Sequence, residues 1–205
     1  MKKLLFMFFI ISIALSGQDF KRYAFKSGKV VYKSTGSMTG TETMYFDNYG
    51  MLEVKYTKAS LSMMGIKQVT DTKVIMDGDW IYTINNNSGE ATKMENPLYS
   101  MFPEGGDLEK ASEDMMISMG GVKSGTETLL GKKCDIWKIE KLMSTIWIWR
   151  TIPIKTQVKM MGMNITNMAT SVEVDIEVSP NEFKIPAGVE FKKMDNIDIN
   201  SLMGN

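Results

Sequence analysis

Apolar and polar residues alternate along most of this chain, and the alternation predicts a series of β-strands. In segment 51–58, Leu52, Val54 and Tyr56 fall on one face and polar side chains on the other, as in a strand with one buried face. The sequence Asp77-Gly78-Asp79 between two such segments favours a tight hairpin turn. We therefore expect a mainly antiparallel β fold. The predicted strands cover residues 29–34, 41–47, 51–58, 68–76, 80–85, 91–94, 126–130, 134–141, 144–150, 154–161, 163–168, 172–178 and 183–185.

The periodicity becomes helical between residues 96 and 120. Asn96 can cap a short helix that begins at Pro97, and Asp107 can cap a second, amphipathic helix that ends at Gly120-Gly121. A long sheet must bury an apolar face, so this helical insert is expected to cover it, and a ligand would bind in the space between them. The apolar positions of the insert are Leu98, Tyr99, Met101, Phe102, Leu108, Ala111, Met115 and Met119.

One predicted strand, 144–150, is apolar on both faces. Trp147 and Trp149 share one face, while Ile146 and Ile148 share the other. This pattern is typical of a strand that is covered on both sides.

The N-terminal residues predict a secretory signal peptide. Two lysines precede an apolar run over residues 4–15, and Ala14 and Ser16 supply the small residues of a cleavage site. We place cleavage after Ser16, which divides the chain into a signal peptide (1–16) and a single domain (17–205); an uncleaved N-terminal anchor is the alternative. The mature domain is expected to be periplasmic or secreted without stable membrane insertion, because no later apolar run approaches the roughly 20 residues of a membrane-spanning helix.

The amino-acid composition excludes several classes of function. Once the two lysines of the signal are removed, 22 basic residues remain against 24 acidic ones, so no nucleic-acid partner is expected. The sequence has no histidine and a single cysteine, Cys134, which excludes histidine-based catalysis, histidine zinc sites and an internal disulfide. We expect a protein that is not an enzyme and has no metal or cofactor, although chemistry based on carboxylates or lysine alone stays open. Cys134 is expected to be a small buried apolar residue.

Four groups of residues, taken in order, resemble the LolA-like superfamily of periplasmic carriers. They are Tyr45-Phe46-Asp47-x-x-Gly50, Gly131-Lys132-Lys133-Cys134-Asp135, Trp147-Ile148-Trp149 with Ile152-Pro153-Ile154-Lys155, and Phe183-x-Ile185-Pro186-x-Gly188. The resemblance implies a curved half-barrel with helices across its concave face, a cavity for acyl chains, and a lipid or lipidated protein as partner. The best-studied members close their lid with an arginine, and neither Arg22 nor Arg150 matches that context. The chain therefore resembles an uncharacterised member more than the lipoprotein carrier itself.

The expected function is the non-catalytic binding or transport of a lipid, acyl chain or other apolar ligand. Methionine side chains are flexible and polarizable, so the twenty methionines suit an adaptable apolar wall, although they also suit an ordinary core. The candidate cavity residues are Trp80, Tyr82, Leu98, Met101, Phe102, Leu108, Met115, Met116, Met119, Trp137, Trp147 and Trp149.

Two other functions stay open at this point. Met115-Met116-x-x-Met119 and Met160-Met161-x-Met163 place several thioether sulfurs close together in the sequence, and such ligands select monovalent copper. A structural or interaction protein with a solid core and no ligand is the second alternative. It predicts neither a cavity nor a bound lipid.

Overall fold

The computed structural model describes residues 21–63, 65–96, 108–160 and 162–194. The predicted signal peptide, the predicted helix at 97–102 and the predicted cap Asp107 lie outside these residues. The cavity candidates Leu98, Met101 and Phe102 lie outside them as well.

Within the described residues the chain forms twelve strands and one α-helix. The elements, in chain order, are β1 (Gly28–Gly36), β2 (Met38–Asp47), β3 (Leu52–Met63), β4 (Ile66–Asp77), β5 (Trp80–Asn85), β6 (Ala91–Glu95), α1 (Leu108–Ser118), β7 (Gly121–Leu129), β8 (Lys132–Ile139), β9 (Ser144–Trp149), β10 (Ile152–Met160), β11 (Met163–Val174) and β12 (Lys192–Lys193).

All twelve strands belong to one open, curved sheet in the order β12-β6-β5-β4-β3-β2-β1-β11-β10-β9-β8-β7. Strands β1 to β6 pair in succession as antiparallel hairpins, as do β7 to β11, and β1 joins the two halves because it pairs with both β2 and β11. The short pairing of β12 with β6 is parallel. The prediction of a mainly antiparallel β fold is confirmed.

The predicted strands near the C-terminus are wrong in two places. We predicted a strand over 172–178, but β11 ends at Val174 because Asp175 has a positive φ of 53° and its N–H donates to the carbonyl of Ser27. We also predicted a strand over 183–185, where Phe183 ends a turn and the next residues have no regular structure. This segment packs on the sheet through Val178 and Phe183 instead of extending it.

The register assigns side chains to the two faces of the sheet. We call the face that carries Tyr32, Ser34 and Trp137 the inner face, since Ser34 is linked to Trp137 through cross-strand partners on β11, β10 and β9. The opposite face carries Val54 and Ile75, which are fully buried beneath the C-terminal segment. Each face therefore has its own core.

The N-terminal segment 21–27 closes one end of the sheet. Its backbone bonds to Tyr49 and to the side chain of Thr151, which lie in turns at that end. Tyr23 packs on Phe46 with ring centroids 4.5 Å apart, and Phe25 packs on Trp149 with ring centroids 4.9 Å apart.

Tyr23 and Phe25 join the core formed by Val30, Tyr32, Met44 and Phe46. This core continues past a register shift in β10 to Trp147 and Cys134. Burial raises the pKa of the Cys134 thiol, as expected for a cysteine in an apolar core.

A buried carboxylate holds this segment in place. Glu53 lies on the inner face of β3 and is only 3% exposed. Its carboxylate accepts hydrogen bonds from Arg22 and from the Tyr23 hydroxyl, and Lys55 Nζ lies 3.4 Å from its second oxygen. Burial acts to raise the pKa of Glu53, but Lys55, Arg22 and the Tyr23 hydroxyl together lower it below its usual value.

We expect Glu53→Gln to destabilise the domain by about 3–5 kcal/mol, because it leaves the Arg22 guanidinium buried without its counter-charge. The double variant Arg22→Met/Glu53→Gln should recover part of this loss, since no uncompensated charge remains. Urea unfolding at neutral pH measures both changes. Glu173→Gln, at an exposed position of β11, is the matched control and should leave stability unchanged.

The same network predicts a pH dependence. Because the folded-state pKa of Glu53 lies below its ordinary value of 4.5, the carboxylate stabilises the fold above that pH, and this contribution is lost as the pH falls through the folded-state pKa. The unfolding free energy of the wild type should therefore fall more steeply below about pH 4.5 than that of the double variant. Parallel curves for the two proteins would contradict the assignment.

Candidate ligand site beneath the helix

Helix α1 lies on the inner face of the sheet through a layer of methionines. Met116 is 7% exposed and packs against Trp137 and Ile139 of β8. Half-buried side chains complete the layer: Met115 and Met119 from the helix, and Ile146 and Ile148 from β9. Met115 and Met119, which the sequence places on the apolar face of this helix, thus pack against the sheet in the structure.

Two glycines bring the end of the helix close to the sheet. Gly120 has a φ of +78°, which a residue with a side chain adopts only at a cost, and this conformation ends the helix. A Cβ on Gly121 would lie 2.6 Å from the carbonyl oxygen of Met116 and 3.4 Å from the Trp137 ring. The chain therefore passes directly from α1 into β7, and Met116 is held over Trp137.

The polar links between α1 and the sheet lie near the surface. Glu109 Oε1 accepts a hydrogen bond of 3.4 Å from Arg150 Nε, and Glu113 lies 4.0 Å from Lys123 Nζ. Lys123 also bonds Asp135 at 2.9 Å, and that contact raises its pKa. Exposed ion pairs of this kind contribute about 0.2–1 kcal/mol each. Among the described contacts of α1, the methionine layer thus provides most of the attachment to the sheet.

The apolar surface continues beside the helix. Ile139, Ser144, Val158 and Ile165 are cross-strand neighbours in a row on the inner face of β8 to β11. Ile139 is fully buried beneath the helix, and the other three are half-buried. The hydroxyl oxygen of Ser144 is buried, and it has no hydrogen-bond partner among the residues that the structure describes. The row therefore offers a mainly apolar surface with one uncommitted polar atom.

The structure brings together four of the predicted cavity residues, namely Met115, Met116, Met119 and Trp137. Leu108, the first residue of α1, is half-buried. These residues form the candidate site, to which the structure adds Ile139, Ser144, Ile146 and Ile148. Periodicity identified the helix face, but it gave no signal that β8 and β9 would lie beneath that face.

Four other predicted residues do not share this site. Trp137 pairs with Ile146, so the alternation of β9 places Trp147 and Trp149 on the side of that strand away from the helix, where they join the core of Tyr32 and Met44. Trp149 packs on Phe25, and the Trp147 indole donates to Glu127. The predicted cover of β9 on both faces is confirmed, because Ile146 and Ile148 pack under the helix while the tryptophans join a different core.

The register also places Trp80 and Tyr82 on the opposite face. Tyr82 pairs with Ile75 and packs edge-on against Phe191, with ring centroids 5.2 Å apart. The Trp80 ring lies between Lys93 and Lys193, whose Nζ atoms are 5.2 and 5.4 Å from its centroid. The twelve predicted residues therefore do not form one wall, since strand alternation divides the described aromatic members between two faces.

Other features of the described residues offer less to an apolar ligand. A separate open cavity of about 320 Å³ lies where the N-terminal segment meets the end of β11, and its lining includes Lys26, Asp47, Asp175 and Glu177. No group of three or more histidine, cysteine or acidic residues in the described part of the chain is placed to hold a metal ion. None of the helices described here has the length and hydropathy needed to cross a membrane.

Comparison with solved structures supports the fold. An uncharacterised conserved protein from Thermus thermophilus superposes with a TM-score of 0.53 at 6% identity, over 83% of this chain and 92% of that chain. Two more distant structures also align. MucB in complex with MucA(peri) has a TM-score of 0.44 at 10% identity, over 78% of this chain and 54% of that chain. LprF from Mycobacterium bovis has a TM-score of 0.36 at 12% identity, over 77% of this chain and 90% of LprF. No family model and no curated protein matches the sequence.

Because the described contacts of α1 are an apolar layer with one buried helix residue, Met116, and exposed ion pairs, α1 is expected to open locally more easily than the central strands. Amide hydrogen exchange should show lower protection in α1 than in β1 and β2. Met116→Ala, which removes the buried contact of the helix, should speed exchange in α1 by roughly thirtyfold, equivalent to about 2 kcal/mol.

Met143→Ala provides the control for this experiment. Met143 is 54% exposed and lies outside the methionine layer, so its replacement should leave the exchange of α1 unchanged. Equal protection of α1 and β1 in the wild type would show that the helix opens only when the whole domain unfolds.

Proposed function

We propose that this chain is a non-catalytic binding or carrier protein that holds an acyl chain, or another apolar group, between α1 and the inner face of the sheet. The observation that carries the proposal is the attachment of the helix by a methionine layer over Trp137 and Ile139, with exposed ion pairs as its described polar links. Methionine side chains can change rotamer at low cost, so this layer can move to admit a flexible apolar ligand.

The row beside the helix supports the same proposal. An acyl chain that entered next to Met119 would lie along Val158 and Ile165, which are half-buried. Removing apolar surface from water contributes about 25 cal/mol per Å², so such binding needs no specific polar partner. The buried Ser144 hydroxyl offers a hydrogen bond to a polar group of the ligand.

We also propose that the protein acts in the periplasm. The predicted signal peptide favours export to the periplasm, and the ordered motifs favour the LolA-like carriers as the superfamily. Among the described contacts, Arg150 is the arginine that reaches the helix, through the side chain of Glu109. That contact differs from the backbone bond that closes the lid of the best-studied members, so the proposed cargo is an acyl chain or lipid in general.

The proposal is tested with the mature chain, purified without detergent and titrated with cis-parinaric acid as a fluorescent fatty acid. Met115→Gln/Met119→Gln should weaken binding by roughly tenfold or more, because each amide would lose water without gaining a partner. Met194→Gln carries the same substitution at an exposed site beyond β12 and should bind as the wild type does.

Two outcomes would overturn the proposal. Absence of saturable cis-parinaric acid binding, together with a native mass spectrum free of lipid adducts, would favour a protein with a solid core. If silver(I) instead binds the wild type and the double glutamine variant loses that binding, the helix methionines coordinate a soft metal.

A further inference from the structure

The two ends of the sheet differ in chemistry. The end closed by the N-terminal segment carries charged turns, including Asp77-Gly78-Asp79 and the turn at Arg150. The other end carries the β1–β2, β3–β4, β8–β9 and β10–β11 turns, the C-terminal end of α1 and, set back from them, the polar β5–β6 turn, in which Asn87 bonds the Val69 carbonyl. We call this second end the apolar rim.

Exposed apolar side chains concentrate at the apolar rim. Among the residues that the structure describes, nine large apolar side chains are exposed, and six of them lie here. These six are Ile66 (70%), Val69 (59%), Ile117 (56%), Val122 (66%), Leu142 (48%) and Met143 (54%). An exposed apolar set of this kind, gathered at one end of a domain, marks an interaction surface.

Hydrogen bonds connect the turns into a continuous edge. The N–H of Ser62 donates to the Ser37 carbonyl, and the N–H of Ser37 donates to the Asn164 carbonyl, both at 2.8 Å. The N–H of Lys159 donates to the Met143 carbonyl at 3.0 Å, which joins the β8–β9 turn to the same edge. Backbone hydrogen bonds therefore join these turns of the rim to one another.

Two of these turns share a sequence as well as a place. Both contain Met-Met-Gly, in which Gly65 and Gly162 have φ values of +80° and +78°. An apolar residue follows each glycine, Ile66 in one turn and Met163 in the other, and an exposed lysine lies close by, Lys67 and Lys159 respectively. Among the described residues, each hairpin thus has an apolar residue directly after its glycine and an exposed lysine near it.

We propose that the apolar rim docks on the surface of an anionic lipid bilayer. Side chains that project from turn tips can enter the boundary between headgroups and acyl chains, where burial of their apolar surface favours binding. Lysines behind them can reach the anionic headgroups and add electrostatic attraction.

The test is co-flotation of the full mature chain with vesicles of phosphatidylcholine, with and without phosphatidylglycerol, at low and high salt. The wild type should bind the anionic vesicles, and high salt should weaken this binding. Ile66→Asp/Met143→Asp should reduce it by roughly tenfold or more, because charged side chains replace two that would enter the lipid. Both positions are exposed, so thermal unfolding should match the wild type.

Leu130→Asp is the matched control, since Leu130 is 44% exposed but lies in the β7–β8 turn at the other end. Equal loss of binding in this variant, or no vesicle binding by the wild type, would overturn the proposal. So would a wild-type dimer that Ile66→Asp/Met143→Asp converts to a monomer without any vesicle binding, which would make the rim a contact between copies of the chain.

The docking proposal does not depend on the proposed function. Neither Ile66 nor Met143 lies beneath α1, so the rim variants should bind cis-parinaric acid as the wild type does. Failure of vesicle docking and failure of acyl binding are therefore separate results.

Discussion

The fold depends on burying apolar side chains on both faces of a single twelve-stranded sheet, although few other segments of the described chain are available to cover them. Val54 and Ile75 on one face and Met44 and Trp137 on the other are almost fully buried, so part of each face is covered. The described chain supplies three covers: the N-terminal segment, α1 and the irregular segment after β11. Each cover extends over only part of the sheet. Half-buried apolar side chains between covers are a consequence of this shortage, and the row beside α1 is one such place.

The three covers are attached by different physical means. The N-terminal segment is held by a buried charge network. In this network the Glu53 carboxylate accepts hydrogen bonds from the Arg22 and Tyr23 side chains in place of water. The segment after β11 is held by Val178 and Phe183 and by a hydrogen bond from Tyr56 to Glu182 at 3.0 Å. Among the described contacts of α1, Met116 is its buried anchor. A network of buried charges holds its segment in one arrangement on the sheet, whereas methionine side chains can pack in several arrangements. This difference makes α1 the cover best suited to admit a ligand.

Local patterns predicted the strands well because alternation and turn residues act over a few positions. β5 was predicted at its observed bounds, since Asp-Gly before it and an asparagine-rich turn after it define both ends. The candidate site depended on which strands become neighbours, and sequence alternation within one strand carries no such information. The pairing of Trp137 with Ile146 placed the tryptophans of β9 away from the helix. The bond between Arg22 and Glu53, 31 positions apart, gave no local signal either.

The orientation of α1 connects the candidate site with the apolar rim. Its first turn lies near the charged end, where Glu109 meets Arg150, and its last turn carries Ile117 at the rim. Met119, which follows the helix and belongs to the methionine layer, therefore lies near the exposed apolar turns. An acyl chain that left a bilayer at the rim would meet Ser144 and Val158, which are cross-strand neighbours on the inner face. The charged end is closed by the N-terminal segment and offers no comparable apolar path among the described residues. The arrangement of turns thus favours the rim as the entrance, with the helix opening from its C-terminal end.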